Sequence, residues 1–390
     1  MKITAVKGIP LKCACSPISD ALSTSTSRQA LLVRVDTDSE IFGIGEAFTY
    51  GCPLYVMKFL VEELFGPMVI GSDPTDIEQL WNRMYWRSAT YGKKGMTMGA
   101  ISGIDIALWD ILGKIAGMPV YRLLGAYSEG VPSYASGGFY APGKGIDELE
   151  REIEKYLKKG YQAVKIKIGR NPGREKNPLC YLANKENGVP LGEDFKRIEA
   201  VHRIVGDKRL MVDMNATWDS GMVVSYADTL EKSGVYWIEE PIPSDDLEGL
   251  KKISRRAGKL KVAGFETEQG VKNFDQYIRN GIVDILQPDV AWSGGFTECR
   301  KIATVAAAAG VPVSLHSFGS AVQFAASLHL AASMPNAEMI ESEENPNPLK
   351  TTLLKNSFIA DGAMNFSAPQ APGLGIELDW DAVERLAIKF

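Results

Sequence analysis

Cysteine is sparse in this 390-residue chain and shows no framework pattern. Its five cysteines (Cys13, Cys15, Cys52, Cys180 and Cys299) are odd in number and scattered, as in a reducing compartment. Cys13-Ala14-Cys15 lacks the second pair that a zinc site requires, so it is taken as loop sequence. A basic excess is also missing. The formal charge of −5 argues against a nucleic-acid footprint and against a polybasic membrane surface. No apolar run approaches the roughly 20 residues needed to cross a bilayer. Met1-Lys2-Ile3-Thr4-Ala5-Val6 opens directly into a strand-like alternation and not a signal peptide, so the expected location is cytoplasmic. What remains, 45% hydrophobic and 23% charged, is a globular composition long enough for a large core.

Against that background, six ionisable residues recur in the second half of the chain: Asp213, Glu239, Glu266, Asp289, His316 and Glu341. Successive members are 26, 27, 23, 27 and 25 residues apart, and each closes a short apolar run such as RLMVD, VYWIE or VPVSLH. One strand plus one helix occupies about this length, so the six sit at the carboxyl ends of successive parallel strands. In a (β/α)₈ barrel those ends converge on one mouth, where active sites are built. One strand earlier, AVKIKIG brings Lys165 and Lys167 to the same level.

The first 130 residues lack this rhythm. ALLVRVDTDSEIFGIGEA reads as a hairpin turning at Asp36–Glu40, and MGAISGIDIALWDILGKIAG reads as a helix stopped by Gly117. Residues 1–130 are therefore expected to form an α+β capping unit and 131–354 a (β/α)₇β-type barrel. Residues 355–390, with a further hairpin in TTLLKNSFIADGAMNF, are expected to return to the cap. Between Gly169 and Gly192 runs a polar, Pro- and Gly-rich connection; loops of that length in a compact domain are usually functional or disordered. Following strand two, it must emerge on the active-site face.

Asp213, Glu239 and Glu266 end three consecutive strands, so their carboxylates are lateral neighbours on the rim. Three such anions raise one another's pKa unless a cation neutralises them, and oxygen-only ligation selects a hard ion such as Mg²⁺. The bland alternative is a set of salt-bridged rim carboxylates. Glu240 is expected to face away from Glu239, while Glu268, two beyond Glu266, could share its face. Lys167 on strand two and the Asp289–His316 pair on strands six and seven would flank a bound ligand. Lys165, pointing the same way as Lys167, would lower its pKa toward neutrality, and Asp289 would fix the His316 tautomer. His202 and His329, on helices, are taken as structural. Gly294-Gly295 reads as a loop before a helix.

The motifs AISGIDIALWDILGK, KIKIG, VDMNATW, WIEEP, AGFETE, DILQPDVAWSGG, SLHS and MIE together resemble the enolase superfamily, in the mandelate racemase branch of the mandelate racemase/muconate lactonizing enzyme family. The resemblance spans about residues 98–341, and PGLGIEL near the C-terminus is similar too. It implies Mg²⁺ on Asp213, Glu239 and Glu266, with a substrate carboxylate bound to that metal. Lys167 would be one base and His316 with Asp289 the other. Lys165 and Glu341 would contact the carboxylate, and Asn215 would approach the metal. Loops Cys13–Arg28 and Glu46–Tyr55 would close over the substrate. Two departures stand out: Phe265 occupies a position often held by glycine, and the long loop after strand two is not general in the family.

The implied chemistry is removal of a proton α to a carboxylate. Dehydration of a sugar acid (aldonate or aldarate) to a 2-keto-3-deoxy acid is the favoured outcome, by analogy. Racemisation, epimerisation or lactone cycloisomerisation are the alternatives, and a non-catalytic carboxylate-binding barrel is the remote one. The expected partners are a small-molecule carboxylate and further copies of the chain, with no nucleic acid and no membrane.

Overall fold

Alternating apolar positions along the first residues produce three antiparallel strands, β1 (Ile3–Ser19), β2 (Thr24–Thr37) and β3 (Phe42–Ala47), in the order β1-β2-β3. The structure, a computed structural model, describes residues 1–171, 188–256 and 258–390. Cys13 and Cys15 lie within β1 and not in a loop, a correction to the sequence reading; their period-two spacing puts both half-buried side chains on one face.

The helix Met96–Ala116 lies on this sheet with residues 97–111 buried without interruption. Glycine permits the close approach: a Cβ added at Gly45 would sit 2.0 Å from the Gly103 carbonyl oxygen. By length and hydropathy this helix could cross a membrane, which corrects the expectation that no such run exists. With 89% of its apolar window buried inside the protein, it is a core helix.

Eight parallel strands follow: β4 (Gly130–Gly137), β5 (Ala163–Lys167), β6 (Arg209–Asp213), β7 (Val235–Glu239), β8 (Lys261–Gly264), β9 (Ile285–Leu286), β10 (Val313–Leu315) and β11 (Ala337–Glu343). Neighbours pair in chain order, and β11 pairs with β4, so the sheet closes into a barrel. A helix lies between each successive pair, giving (β/α)₇β as expected. The helix Ile146–Lys159 shows why these elements form. Leu149, Ile153 and Tyr156 bury one stripe at helical spacing, while most of its Glu and Lys residues face solvent.

Inside the barrel, Tyr134, Ala163, Met211, Trp237, Ala263, Ile285 and Met339 form a separate buried layer. This apolar floor fixes what lies above it. Two residues further along each strand, the same inward face carries Lys165 above Ala163, Asp213 above Met211, Glu239 above Trp237 and Glu341 above Met339.

Beyond the barrel, a turn at Asp361–Met364 folds Ala360 back against Phe366, and β12 (Asn365–Ser367) pairs antiparallel with β4. The chain then reaches the cap, where Gly373 bridges Pro119 and Ala387 bridges Leu11 of β1. Within the Arg170–Leu191 connection, residues 172–187 lie outside the described residues.

Candidate active site

Strand register sets the geometry of the mouth. Lys167 on β5 is the Cα partner of Asp213 on β6, which is in turn the partner of Glu239 on β7. Glu266 lies two residues past β8 and joins them, so that one carboxylate oxygen from each of Asp213, Glu239 and Glu266 falls within 4.8 Å of the others. Getting there requires an unusual turn. Phe265 has φ +73°, which glycine adopts freely and a bulky side chain does not. Its ring is held by stacking on Tyr277, with centroids 4.0 Å apart. Asn215, Ala216 and Glu240 also have positive φ. Local strain of this kind collects where a site dictates backbone direction.

Two ammonium groups sit among these acids. Lys165 contacts Glu239, lies 3.0 Å from Glu341 and 3.7 Å from Asp213, and is 1% exposed. Lys167 pairs with Asp213. Burial pulls the Lys167 ammonium down and Lys165 adds to that, but Asp213 together with Glu266 and Glu239 outweighs both and its pKa rises. The expected shift toward neutrality is thus not what the protein groups alone produce, because Asp213 directs its negative charge at this lysine. Burial pushes Glu239 and Glu266 up, with the neighbouring carboxylates adding to it. For Asp213, burial is overcome by the two lysines and the pKa is lowered.

Magnesium fits this cluster. The donors are all carboxylate oxygens, as a hard divalent cation prefers. Glu266 Oε2 is buried without a hydrogen-bond partner, as is Asn215 Oδ1 beside it on the cavity wall. Asn215 also donates its backbone N–H to Asp213 Oδ1 at 2.9 Å.

Across the mouth, β10 delivers His316, three strands from β5 the short way around the barrel. His316 Nδ1 lies 2.7 Å from Asp289 Oδ2, and Nε2 lies 3.6 Å from Glu266 and 3.7 Å from Glu341. Burial disfavours the imidazolium, but Glu266, Glu341 and Asp289 outweigh it, and the pKa rises to about 10. Glu341 accepts from the Ser317 backbone N–H at 3.0 Å, and Lys165 and His316 hold its carboxyl below the usual range despite burial.

Several residues at the mouth were not identified from sequence. Gln287, one inward step before Asp289, donates to Glu239 at 2.7 Å. Gln323 donates to Asp289 Oδ2 at 3.0 Å, and its backbone N–H reaches Glu46 of the cap at 3.0 Å. Glu240 was expected to face away, yet it lines the same cavity, because its positive φ turns the chain there. Glu268 points elsewhere: it accepts from Lys94 and Ser244, each at 2.8 Å. Phe48, Tyr50, Phe139, Trp292 and Phe318 wall the cavity, and Asp20 closes its cap side. Only period two could have indicated Gln287. For the aromatic wall, drawn from cap loops and strand ends far apart in sequence, no local signal exists.

Residues 3–125 match the mandelate racemase/muconate lactonizing enzyme N-terminal domain, and residues 148–382 match the enolase C-terminal domain-like family. An arabinonate dehydratase of Saccharolobus solfataricus is 32% identical, covering 89% of this chain and 87% of that protein. A D-galactarolactone cycloisomerase of Agrobacterium fabrum is 33% identical, covering 98% of each. Among solved structures, a racemase from Streptomyces coelicolor with bound magnesium superposes with a TM-score of 0.85 at 27% identity, covering 99% of this chain and 100% of that one.

Proposed function

We propose that this chain, which belongs to the mandelate racemase/muconate lactonizing enzyme family of the enolase superfamily, dehydrates a sugar acid to a 2-keto-3-deoxy acid. Asp213, Glu239 and Glu266 would hold Mg²⁺, which when bound would offset the charge that builds on the substrate carboxylate as its α-proton leaves. Lys165, fixed among Glu239, Glu341 and Asp213, presents its ammonium to the same carboxylate. Lys167 takes the proton at Nζ; a cation on Asp213 would draw that carboxylate away from the lysine and free the amine to act as a base. His316, kept protonated by its carboxylate neighbours, gives the Nε2 proton to a departing β-hydroxyl. Asp289 on Nδ1 fixes the ring. Glu341 and Asn215 orient the carboxylate end.

The observation that carries this reading is the placement of Lys167 and the His316–Asp289 pair on one cavity with the carboxylate cluster between them. A purely binding barrel has no need of that pair of bases. The cycloisomerase relative favours a second reading, in which a ring oxygen and not water departs from the β carbon. Incubating Mg²⁺-loaded enzyme with a panel of sugar acids and lactones tests both: keto-acid formation from open-chain acids supports dehydration, and ring opening alone supports the second. We also propose residues 1–130 with 355–390 as the cap, residues 131–354 as the barrel, a cytoplasmic location and a homo-oligomer. Light scattering after gel filtration tests the last.

A further inference from the structure

The acid side of the site does not end at Asp289. Its Oδ1 accepts from the Ala291 backbone N–H at 2.7 Å, and Oδ2 meets both His316 Nδ1 at 2.7 Å and Gln323 Nε2 at 3.0 Å. The terminal torsion of an aspartate is soft, so the direction in which Oδ2 faces is set by its donors. Gln323 supplies the donor on Oδ2 that does not belong to the imidazole. Its partners fix the orientation of its amide. Nε2 faces two acceptors, Asp289 Oδ2 and the His316 carbonyl at 3.3 Å, while Oε1 accepts from the Ser317 hydroxyl at 2.7 Å. Asp289 and Gln323 are both fully buried and lie off the wall of the reaction cavity, so neither touches the substrate.

Gln323 is in turn placed by the cap. It stands in the first turn of the helix Ala321–Ser333, where backbone N–H groups have no partner within the helix. Glu46 of β3 takes them. Its Oε2 accepts from the Gln323 N–H at 3.0 Å, its Oε1 from the Ser320 N–H at 3.0 Å, and Ser320 adds its hydroxyl. A buried carboxylate at a helix N-terminus suits the helix dipole. The packing leaves little slack: a Cβ at Gly319 would stand 2.7 Å from Glu46 Oε1 and 2.8 Å from Gln323 Cβ. A continuous path thus runs from the cap sheet through Glu46, Gln323 and Asp289 to His316. Lys167, on the other side, is held by Asp213 within the barrel.

Resting on the dehydratase reading above only for the departing hydroxyl, we propose that Gln323 is a positioning residue for His316, fixing the Asp289 carboxylate that holds the imidazole, and that Glu46 of the cap sets Gln323 in place. The two faces of the site are then built differently. The Lys167 face belongs to the barrel, whereas the His316 face is aimed only when cap and barrel are docked. A small displacement of the imidazole slows proton transfer without changing how the carboxylate end binds.

The test follows Mg²⁺-loaded enzyme in D₂O with sugar acids paired by configuration at C2: gluconate with mannonate, galactonate with talonate, xylonate with lyxonate. Gln323→Met keeps the length of the side chain and removes both amide groups. It should lower kcat for keto-acid formation about 10- to 100-fold, with KM within about 2-fold of wild type. Exchange of an α-proton facing Lys167 should be retained, while exchange in the C2 epimer facing His316 should fall as far as kcat does. Glu46→Gln leaves the Gln323 side chain intact and should show the same one-sided loss, about 3- to 10-fold. That variant decides the matter should Gln323→Met not fold. Equal loss on both faces, loss confined to KM, or wild-type rates in both variants overturns this inference and leaves dehydration intact. Exchange at both faces of the wild type without keto product overturns dehydration, and the one-sided loss still decides for Gln323. Neither exchange nor product with any pair overturns both.

Discussion

Asp105 and Asp110, on the helix that joins cap to barrel, are as deeply buried as Asp213 and Glu239 at the mouth, yet they are treated differently. Asp105 accepts from the Thr297 hydroxyl at 2.5 Å and from its backbone N–H at 3.0 Å. Asp110 accepts from the backbone N–H groups of Ile44 and Leu374 and from Lys114, at 2.9, 2.7 and 2.7 Å. Each seam acid is an isolated group that ties remote segments together: sheet, helix, barrel helix and C-terminal return. The mouth acids stand side by side, push one another's pKa up and leave Glu266 Oε2 without a donor. Buried acids set singly along a seam hold the fold, and buried acids crowded within reach of one cation hold a place for something else.

The largest effect should come from exchanging the two kinds of acid in an experiment. Asp213→Asn, Glu239→Gln or Glu266→Gln should each lower activity by more than the roughly 10- to 100-fold typical of losing an outer-shell partner of a metal. Mg²⁺ affinity should fall with it, while thermal stability without metal is kept or raised in Glu239→Gln and Glu266→Gln, whose carboxyls are pushed up, and lowered in Asp213→Asn, which leaves the buried Lys167 unpaired. Asp110→Ala should do the reverse, leaving Mg²⁺ affinity intact and costing about 3 kcal/mol through the orphaned N–H groups of Ile44 and Leu374. Calorimetric Mg²⁺ titration beside thermal melts reads both quantities. A Glu239→Gln or Glu266→Gln variant that melts like Asp110→Ala would erase the distinction.

Next in size is the division between the two bases. In D₂O, Lys167→Ala should stop exchange of an α-proton that faces β5, by removing its acceptor. His316→Asn should block elimination and leave part of that exchange. An epimer presenting its proton to β10 should reverse the pattern, as NMR of recovered substrate would show. Equal loss in both variants for both epimers, with Mg²⁺ affinity intact, would sink the two-base reading.

Much of the mouth was legible because a barrel repeats. Spacings of 23 to 27 residues carried Asp213, Glu239, Glu266, Asp289, His316 and Glu341 to one rim, and period two set Lys165 and Lys167 on one face. What escaped depends on backbone direction or on contacts between distant segments. Glu240 was misassigned because strand alternation ends where its φ turns positive. Asp20, Phe48 and Phe318 reach one cavity only through the docking of cap on barrel. The upward shift of Lys167 depends on its direct contact with Asp213 and on the nearby Glu266 and Glu239, and spacing carries no such distances. The acids of IDIALWD were visible as a motif, but their partners, Thr297 and Leu374, lie 192 and 264 residues away.

A pH-dependent effect separates two seam groups. Burial raises Asp105 to about 7, so its contribution to stability is fully present below about 4 and is lost as pH rises through 7. The loss is on the order of 4 kcal/mol at most. Burial lowers His329, which receives the Tyr121 N–H on Nδ1, to about 4. Its contribution is present above about 6.5 and is lost as pH falls through 4, by about 3 kcal/mol. The two slopes oppose between pH 4 and 7. Asp105→Asn should remove the loss toward neutral pH, and His329→Asn the loss toward acid, in denaturant titrations across that range. Parallel curves for wild type and both variants would show that neither group is titrating as its burial requires.

The smallest expected effect is the most exacting check on the comparison. Glu268 lies two residues past Glu266, is 9% exposed and could by period two have been the third carboxylate of the cluster. Its oxygens are instead engaged, Oε2 by Lys94 and Oε1 by Ser244. It therefore belongs with the seam acids although it stands beside the mouth. Lys94 is 56% exposed, so the ion pair is screened by solvent and contributes at most about 1 kcal/mol. Glutamine keeps the length and an oxygen acceptor for Ser244. Glu268→Gln should then leave Mg²⁺ affinity within about 2-fold of wild type and lower stability by less than about 1 kcal/mol. If Glu268→Gln abolished Mg²⁺ binding while Glu266→Gln spared it, the cluster would have to be redrawn around Glu268. The rule that the crowded carboxylates, and not the isolated ones, mark the metal site would fail in this protein.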